Sequence, residues 1–232
     1  METKSLFDIN TEVQKLVTAE NSRPEQLTDQ GKFNAFMLGK LNELSLQYSK
    51  GRRSFEVTEK NADILRAVFG YLNRSANDAD FTYKGNVMDL NKGLLLIGSF
   101  GIGKTLLMRA IFENRNILKL NGHFTNAQQI FDHPQKTLET IVGKNRFGLW
   151  IDDIGEEPNV ANDFGTHVTP VGNLIKARVD AWERLPESPK LFITSNCLPA
   201  VLTQIYGGRV MSRLYGACNV IISPQTEDFR KM

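Results

Sequence analysis

The sequence predicts an α/β fold: a mainly parallel sheet flanked by helices, with a small helical appendage ahead of it. Three observations carry that expectation. From residue 94 onward short apolar runs alternate with helix-periodic stretches. The first run, Leu94 to Ile97, leads into the glycine-rich stretch GSFGIGKT and then a helical segment. A later run, Phe147 to Ile151, ends in the adjacent carboxylates of Asp152 and Asp153. A chain of 232 residues is long enough for one well-buried core and a smaller addition.

Residues 1 to about 50 read as two short helices. Leu6, Ile9, Val13, Leu16 and Val17 recur at three- and four-residue spacings, and Phe33, Phe36, Met37, Leu41 and Leu44 repeat the pattern after the proline-containing NSRPEQLTD. Lys50-Gly51-Arg52-Arg53 marks the expected boundary, giving a helical region over 1–57 and the main domain over 58–232. TEKNADILRAVFGYLNR, from Thr58, predicts an amphipathic helix with Ile64, Leu65, Val68, Phe69 and Leu72 on one stripe. A polar loop, NDADFTYKGNVMDLNK, follows.

Beyond the first strand, GHFTNAQ predicts a strand, 128–142 a helix, 147–152 a strand and 170–182 a helix whose packed face includes Leu174, Ile175, Ala177, Val179 and Ala181. A strand at 191–194, helix over 201–215 and a strand at 220–222 complete the alternation. Phe124 and Phe131 read as core.

Lys and Arg total 28 against 26 Asp and Glu, a net charge of +2, so any nucleic-acid contact must come from a local patch. Cys197 and Cys218 lie far apart with no CxxC pairing, which argues against a zinc site and fits a reducing compartment. The N-terminus shows no basic-then-apolar signal pattern, and no apolar run approaches the roughly 18 residues of a membrane span. A cytoplasmic protein without membrane contact is expected.

GxxxxGK[ST] is matched by Gly98, Gly103, Lys104 and Thr105, with Gly101 as an extra relaxed position. Glycine is needed because the backbone must curl with its N–H groups inward around phosphates. The expected nucleotide-binding stretch is Gly98, Ser99, Phe100, Gly101, Ile102, Gly103, Lys104, Thr105 and Leu106. Lys104 would meet the β- and γ-phosphates of ATP, and the Thr105 hydroxyl would ligate Mg²⁺. The following helix adds its positive dipole end at the same point.

Successive strand side chains point to opposite faces, so Asp152 and Asp153 take different roles: Asp152 toward the metal and Asp153 toward the attacking water. Glu156 and Glu157 read as a solvated turn, with a share in the acidic network as the alternative. Asn196, at the polar tip of LFITSN, suits a group that holds the attacking water or senses the γ-phosphate, although Thr-Ser-Asn is also ordinary turn chemistry. Arg209 and Arg213, four apart in GGRVMSRL, share one helix face and could serve a neighbouring subunit's nucleotide. Two solvated surface arginines are the plainer alternative.

Together GSFGIGKT, LWIDDIGEE, ITSN and GGRVMSRL, over residues 58 to 223, resemble the AAA+ ATPases of the DnaC and DnaI helicase-loader and IstB-like group. The resemblance implies a P-loop NTPase core and a nucleotide site formed by Lys104, Thr105, Asp152 and Asp153. It also implies Asn196 as the first sensor, Arg213 as an arginine acting in trans, and Arg209 as a neighbour of less defined role. Arg213 lies so near residue 232 that no C-terminal helical lid is expected.

The function these readings point to is an ATP-hydrolysing replication protein. In that reading the chain is a helicase loader that self-assembles with ATP, binds single-stranded DNA and grips a replicative helicase through its N-terminal helices. Lys119, His123, Lys136, Lys144 and Arg146 are the basic positions available for DNA. An IstB-like transposition regulator on duplex DNA is the alternative, and a non-hydrolysing nucleotide-gated adaptor a third reading.

Overall fold

In the computed structural model the described residues are 29–75, 77–134, 147–158, 161–163, 166–184 and 190–223. The expected first helix, around residues 6 to 17, lies outside them. Two compact units divide the chain: residues 1–88 with 109–118, and residues 89–108 with 119–232.

In the first unit, helix α1 (Gln30–Tyr48) is capped by Asp29, whose carboxylate accepts the Lys32 N–H at 2.9 Å. Its buried face is Phe33, Met37, Leu38, Leu41 and Leu44, so Leu38 joins the expected set while the expected Phe36 is only half-buried. Helix α2 (Ala62–Asn73) buries Ile64, Leu65, Val68 and Phe69, and Phe69 meets Phe33 edge to face at 6.5 Å. α2 starts four residues later than expected. The Asn61 side chain accepts the Thr58 N–H at 2.8 Å and donates to the Glu56 carbonyl at 3.0 Å, holding 58–61 as a turn. The loop expected after α2 contains a 3₁₀ turn (Asp78–Phe81) and a two-stranded hairpin, β1 (Thr82–Tyr83) with β2 (Asn86–Val87). Lys84 and Gly85, at φ 48° and 80°, form the turn that lets two such short strands pair.

The second unit is built on a five-stranded parallel sheet: β3 (Gly93–Ile97), β4 (Gly122–Asn126), β5 (Gly148–Asp152), β8 (Leu191–Ser195) and β9 (Cys218–Ile222), in the order β4-β5-β8-β3-β9. β3, β5 and β8 are buried throughout, so they read as continuous apolar runs rather than alternating ones. Trp150 and Phe192, paired in register across β5 and β8, stack at 4.5 Å.

Helix α3 (Lys104–Glu113) follows the glycine-rich loop, and α4 (Ala127–Asp132) follows β4; residues 135–146, where the expected helix would continue, lie outside the described set. A short antiparallel pair, β6 (Ala161–Asp163) with β7 (Thr166–Val168), was not legible in the sequence, because three-residue strands carry no periodicity signal. Helix α5 (Pro170–Arg184) packs Val171, Leu174, Ile175 and Val179 into the core. It buries Arg178 as well, whereas the expected Ala177 and Ala181 are only partly covered. The Arg178 guanidinium donates to the Phe147 carbonyl, and burial lowers its pKa to about 10.

The single helix expected over 201–215 is two: α6 (Pro199–Tyr206) and α7 (Gly208–Ala217). Gly207, at φ 84°, makes the break, a conformation that an L side chain resists. Phe124 and Phe131 are partly rather than fully buried. Among the described residues, no helix is long and apolar enough to cross a membrane.

Candidate nucleotide site

Parallel strands put their C-terminal ends on one side of a sheet, and β3 lies between β8 and β9 while its chain successor β4 lies at the far edge. That reversal of strand order opens a crevice at the C-terminal ends, the usual ligand position in open α/β sheets. The glycine-rich loop leaves β3 there, flanked by the tips of β8 and β9, with the tip of β5 one strand beyond β8.

The loop turns back on itself through Gly101 and Gly103, at φ 86° and 88°. It is fastened to the sheet by the Gly98 N–H, which donates to the Ser195 carbonyl at 3.1 Å. A Cβ on Gly98 would lie 2.0 Å from the Ser223 hydroxyl oxygen, so the close approach leaves room for hydrogen alone. Lys104 opens α3 and is buried. Its amine donates to the carbonyls of Gly98 (2.8 Å) and Ser99 (2.9 Å) and to the Asn196 Oδ1 (2.5 Å). Phe100 is exposed, while Ile102 and Leu106 are half-buried.

Thr105, next on α3, donates its hydroxyl to Asp152 Oδ1 at 3.1 Å. The same carboxylate oxygen accepts from the Thr194 hydroxyl at 2.5 Å, and the Thr194 oxygen in turn accepts the Asp153 N–H at 2.8 Å. Thr194 is fully buried and bridges both acids. The sequence reading missed it because the tip of LFITSN reads as turn chemistry; a hydroxyl at the end of an otherwise apolar strand was the available signal.

Asp153 sits at φ 57°, left-handed for a non-glycine residue. Its carboxylate accepts from Asn196 Nδ2 at 3.2 Å. Burial, then the charges of Asp152 and Glu156, push its pKa up to about 6, against the opposing pull of Lys104 and Asn196.

Asn196 thus lies between cation and acid, accepting from Lys104 and donating to Asp153 and to Glu156. Of the two glutamates read as a solvated turn, Glu156 is exposed but joins this network, and Glu157 is a correction. Glu157 is buried, accepting from the Tyr206 hydroxyl and from the Gly155 N–H.

The arginines stand apart from this cluster on α7. Arg213 forms an ion pair with Asp180 of α5, both side chains 29% exposed. Arg209 is exposed, with no hydrogen bond or ion pair among the described residues. Of the basic positions offered for DNA, Lys119 is exposed, and half-buried His123 meets Phe147 edge to face at 6.1 Å. Lys136, Lys144 and Arg146 lie outside the described residues. Neither cysteine is in a disulfide; Cys218 is buried and Cys197 half-buried.

The donors present fit a nucleotide with its divalent cation. The loop supplies glycines at positive φ and a buried ammonium, and Thr105 and Asp152 are oxygen donors within hydrogen-bond distance of each other. Mg²⁺ characteristically takes one or two protein oxygens and completes its shell with phosphates and water. Among the described residues no cluster of three or more His, Cys, Asp or Glu forms a metal site independent of a nucleotide.

These features define a parallel α/β fold of the P-loop NTPase kind, and the chain is similar to solved structures. The replication initiator DnaA bound to AMPPCP and single-stranded DNA matches with a TM-score of 0.50 at 17% identity, over 76% of this chain and 50% of that one. The DnaC helicase loader matches at 0.48 and 17% identity, over 72% of this chain and 92% of that one. AMPPCP-bound DnaA from Aquifex aeolicus matches at 0.47 and 18% identity, over 76% and 50%. The chain therefore spans about half the length of the two DnaA structures. No protein-family model and no curated protein sequence matches the chain.

Proposed function

We propose that the chain binds and hydrolyses ATP with Mg²⁺ and acts in DNA replication as a loader of a replicative helicase. The observation carrying the ATPase reading is the meeting of Lys104, Thr105, Asp152, Asp153 and Asn196 at the tips of β3, β5 and β8. Lys104 and the loop amides bind the β- and γ-phosphates, and Thr105 and Asp152 hold the cation, which neutralises developing phosphate charge when bound. Asp153 accepts a proton from the attacking water, and Asn196 orients that water and the carboxylate. The raised pKa of Asp153 fits a base: its carboxylate holds a proton more tightly than an ordinary one, yet with a pKa of about 6 it is still mostly ionised at neutral pH.

Support for the loader reading comes from the order and spacing of GSFGIGKT, LWIDDIGEE, ITSN and GGRVMSRL. In this reading residues 58–232 are the ATPase domain and residues 1–57 the partner-binding region. ATP-bound subunits associate, Arg213 and Arg209 reach a neighbour's γ-phosphate, and the assembly tracks single-stranded DNA in the cytoplasm.

A pull-down with the full chain, with and without ATP, beside a chain starting at Thr58, tests the partner. ATP-dependent capture of a hexameric helicase that requires residues 1–57 is the expected result. Capture of a transposase, or ATP-dependent coating of duplex DNA, would replace it with the transposition-regulator reading.

A further inference from the structure

The turn that carries Asp153 is anchored on two sides. On one side β8 holds it. Thr194 Oγ1 accepts the Asp153 N–H, the Thr194 carbonyl accepts the Ile154 N–H at 3.0 Å, and the Ser195 hydroxyl donates to the Ile154 carbonyl at 2.7 Å. On the other side stands Glu157, 7% exposed, which receives the Gly155 N–H at 2.8 Å on one oxygen and the Tyr206 hydroxyl on the other. Tyr206, 6% exposed, is the last residue of α6. Burial and the adjacent Glu157 charge hold its hydroxyl well above the usual phenol range, so it remains a donor.

We infer that Glu157 and Tyr206 are positioning residues for the hydrolytic acid, clamping the Asp153–Glu157 turn so that the Asp153 carboxylate faces Asn196 and Lys104. The inference rests on the ATPase reading above. Its physical basis is the backbone. Asp153 at φ 57° and Gly155 at φ 90° form a turn with two left-handed residues, one of them non-glycine, and such a conformation persists only where its surroundings over-determine it. A buried carboxylate is retained only where its lone pairs are satisfied, and Glu157 spends both oxygens on this turn and α6. With the Tyr206 hydroxyl removed, one Glu157 oxygen loses its buried donor, and the Asp153 turn is released from α6.

The clamp also joins the acid to the helix pair bearing the arginines. Tyr206 directly precedes Gly207, where α6 gives way to α7 and its Arg209 and Arg213. A shift of α6 is therefore transmitted to the Asp153 turn.

The test uses the full chain and the variants Tyr206→Phe, Glu157→Gln and Glu157→Ala. Each is read for ATP affinity by nucleotide titration, kcat and KM by phosphate release, and amide exchange at Ile154 and Gly155. Tyr206→Phe should lower kcat roughly tenfold to a hundredfold, the range for misplaced catalytic groups, with affinity and KM changed less than about threefold. Exchange at both amides should quicken. Glu157→Gln, with one acceptor oxygen left for two donors, should be intermediate and Glu157→Ala the most severe.

Because the pair acts through Asp153, Tyr206→Phe added to Asp153→Asn should cause no further loss. Native kcat in Tyr206→Phe, or an equal further loss in the Asp153→Asn background, overturns the inference. Should Tyr206→Phe fail to fold, Glu157→Gln decides by the same criteria. Absence of hydrolysis by the native chain refutes the ATPase reading. The amide-exchange comparison then decides the clamp by itself, unchanged exchange overturning it.

Discussion

The Lys104 amine and the Asn196 side-chain oxygen meet at 2.5 Å across 92 positions of sequence, tying the glycine-rich loop to the tip of β8. The same asparagine donates to Asp153, so one neutral side chain spans the cation and the acid of the proposed site. Asn196→Ala should therefore impair chemistry more than binding. Phosphate release is expected to fall by about 10²–10³, the usual loss when a preorganised polar group is removed, while ATP affinity changes only a few-fold. Lys104→Ala should instead lose affinity, by at least about tenfold, since it removes a charge-assisted contact. Nucleotide titration separates the two.

Asp153→Asn should stabilise the nucleotide-free protein at pH 7.5. The folded-state pKa, about 6, is above the reference value of 3.8, so the native state holds the proton more tightly than the unfolded chain does. Stability from this group is greatest below about pH 4, falls as pH rises toward 6, and is fully lost above it. The shift corresponds to at most about 3 kcal/mol, and partial solvent access reduces the expected gain to about 1–2 kcal/mol. Thermal melts in chelator should show a higher midpoint for the variant at pH 7.5 and little difference at pH 4.

Thr194→Val keeps the shape of a fully buried side chain while leaving the Asp153 N–H without its acceptor and Asp152 with one donor fewer, the Thr105 hydroxyl remaining. Denaturant unfolding should show a loss of about 1–3 kcal/mol, the cost of an unsatisfied buried group. The Mg²⁺ concentration that supports half-maximal turnover should also rise, because the Asp152 carboxylate loses an orienting contact.

The two arginines of α7 should separate by stability. Arg213→Ala leaves Asp180 unpaired in a partly buried position, and a loss of about 1 kcal/mol is expected. Arg209→Ala should leave the melting midpoint unchanged, since Arg209 is exposed without a partner among the described residues. If both act in trans, each variant binds ATP normally and loses turnover in the assembled state. Normal assembled-state turnover for Arg213→Ala would remove it from that role.

The central strands were legible because burial on both faces writes them as unbroken apolar runs, and the glycine-rich loop because GxxxxGK[ST] fixes residue type and spacing together. The rest depends on distant partners. Glu156 and Glu157 are identical neighbours in sequence, yet one is exposed and the other buried against Tyr206, a distinction made by α6 and not by local pattern. Arg178 falls on the packed face of α5, three and four residues after Ile175 and Leu174, where an apolar residue is the ordinary choice, and its guanidinium donates to the Phe147 carbonyl, a partner the local pattern does not reveal. Gly207 carried the signal for the α6–α7 break, but a helical hydrophobic spacing continued through it.

The most direct measurement is steady-state phosphate release from Mg·ATP by the full chain, its Asp153→Asn variant and its Lys104→Ala variant, alongside nucleotide titration of all three. The expected result is turnover by the native chain, ATP bound but turnover reduced at least about a hundredfold in Asp153→Asn, and weak binding in Lys104→Ala. Undiminished turnover in Asp153→Asn, or tight ATP binding by Lys104→Ala, would contradict the assignment of this site.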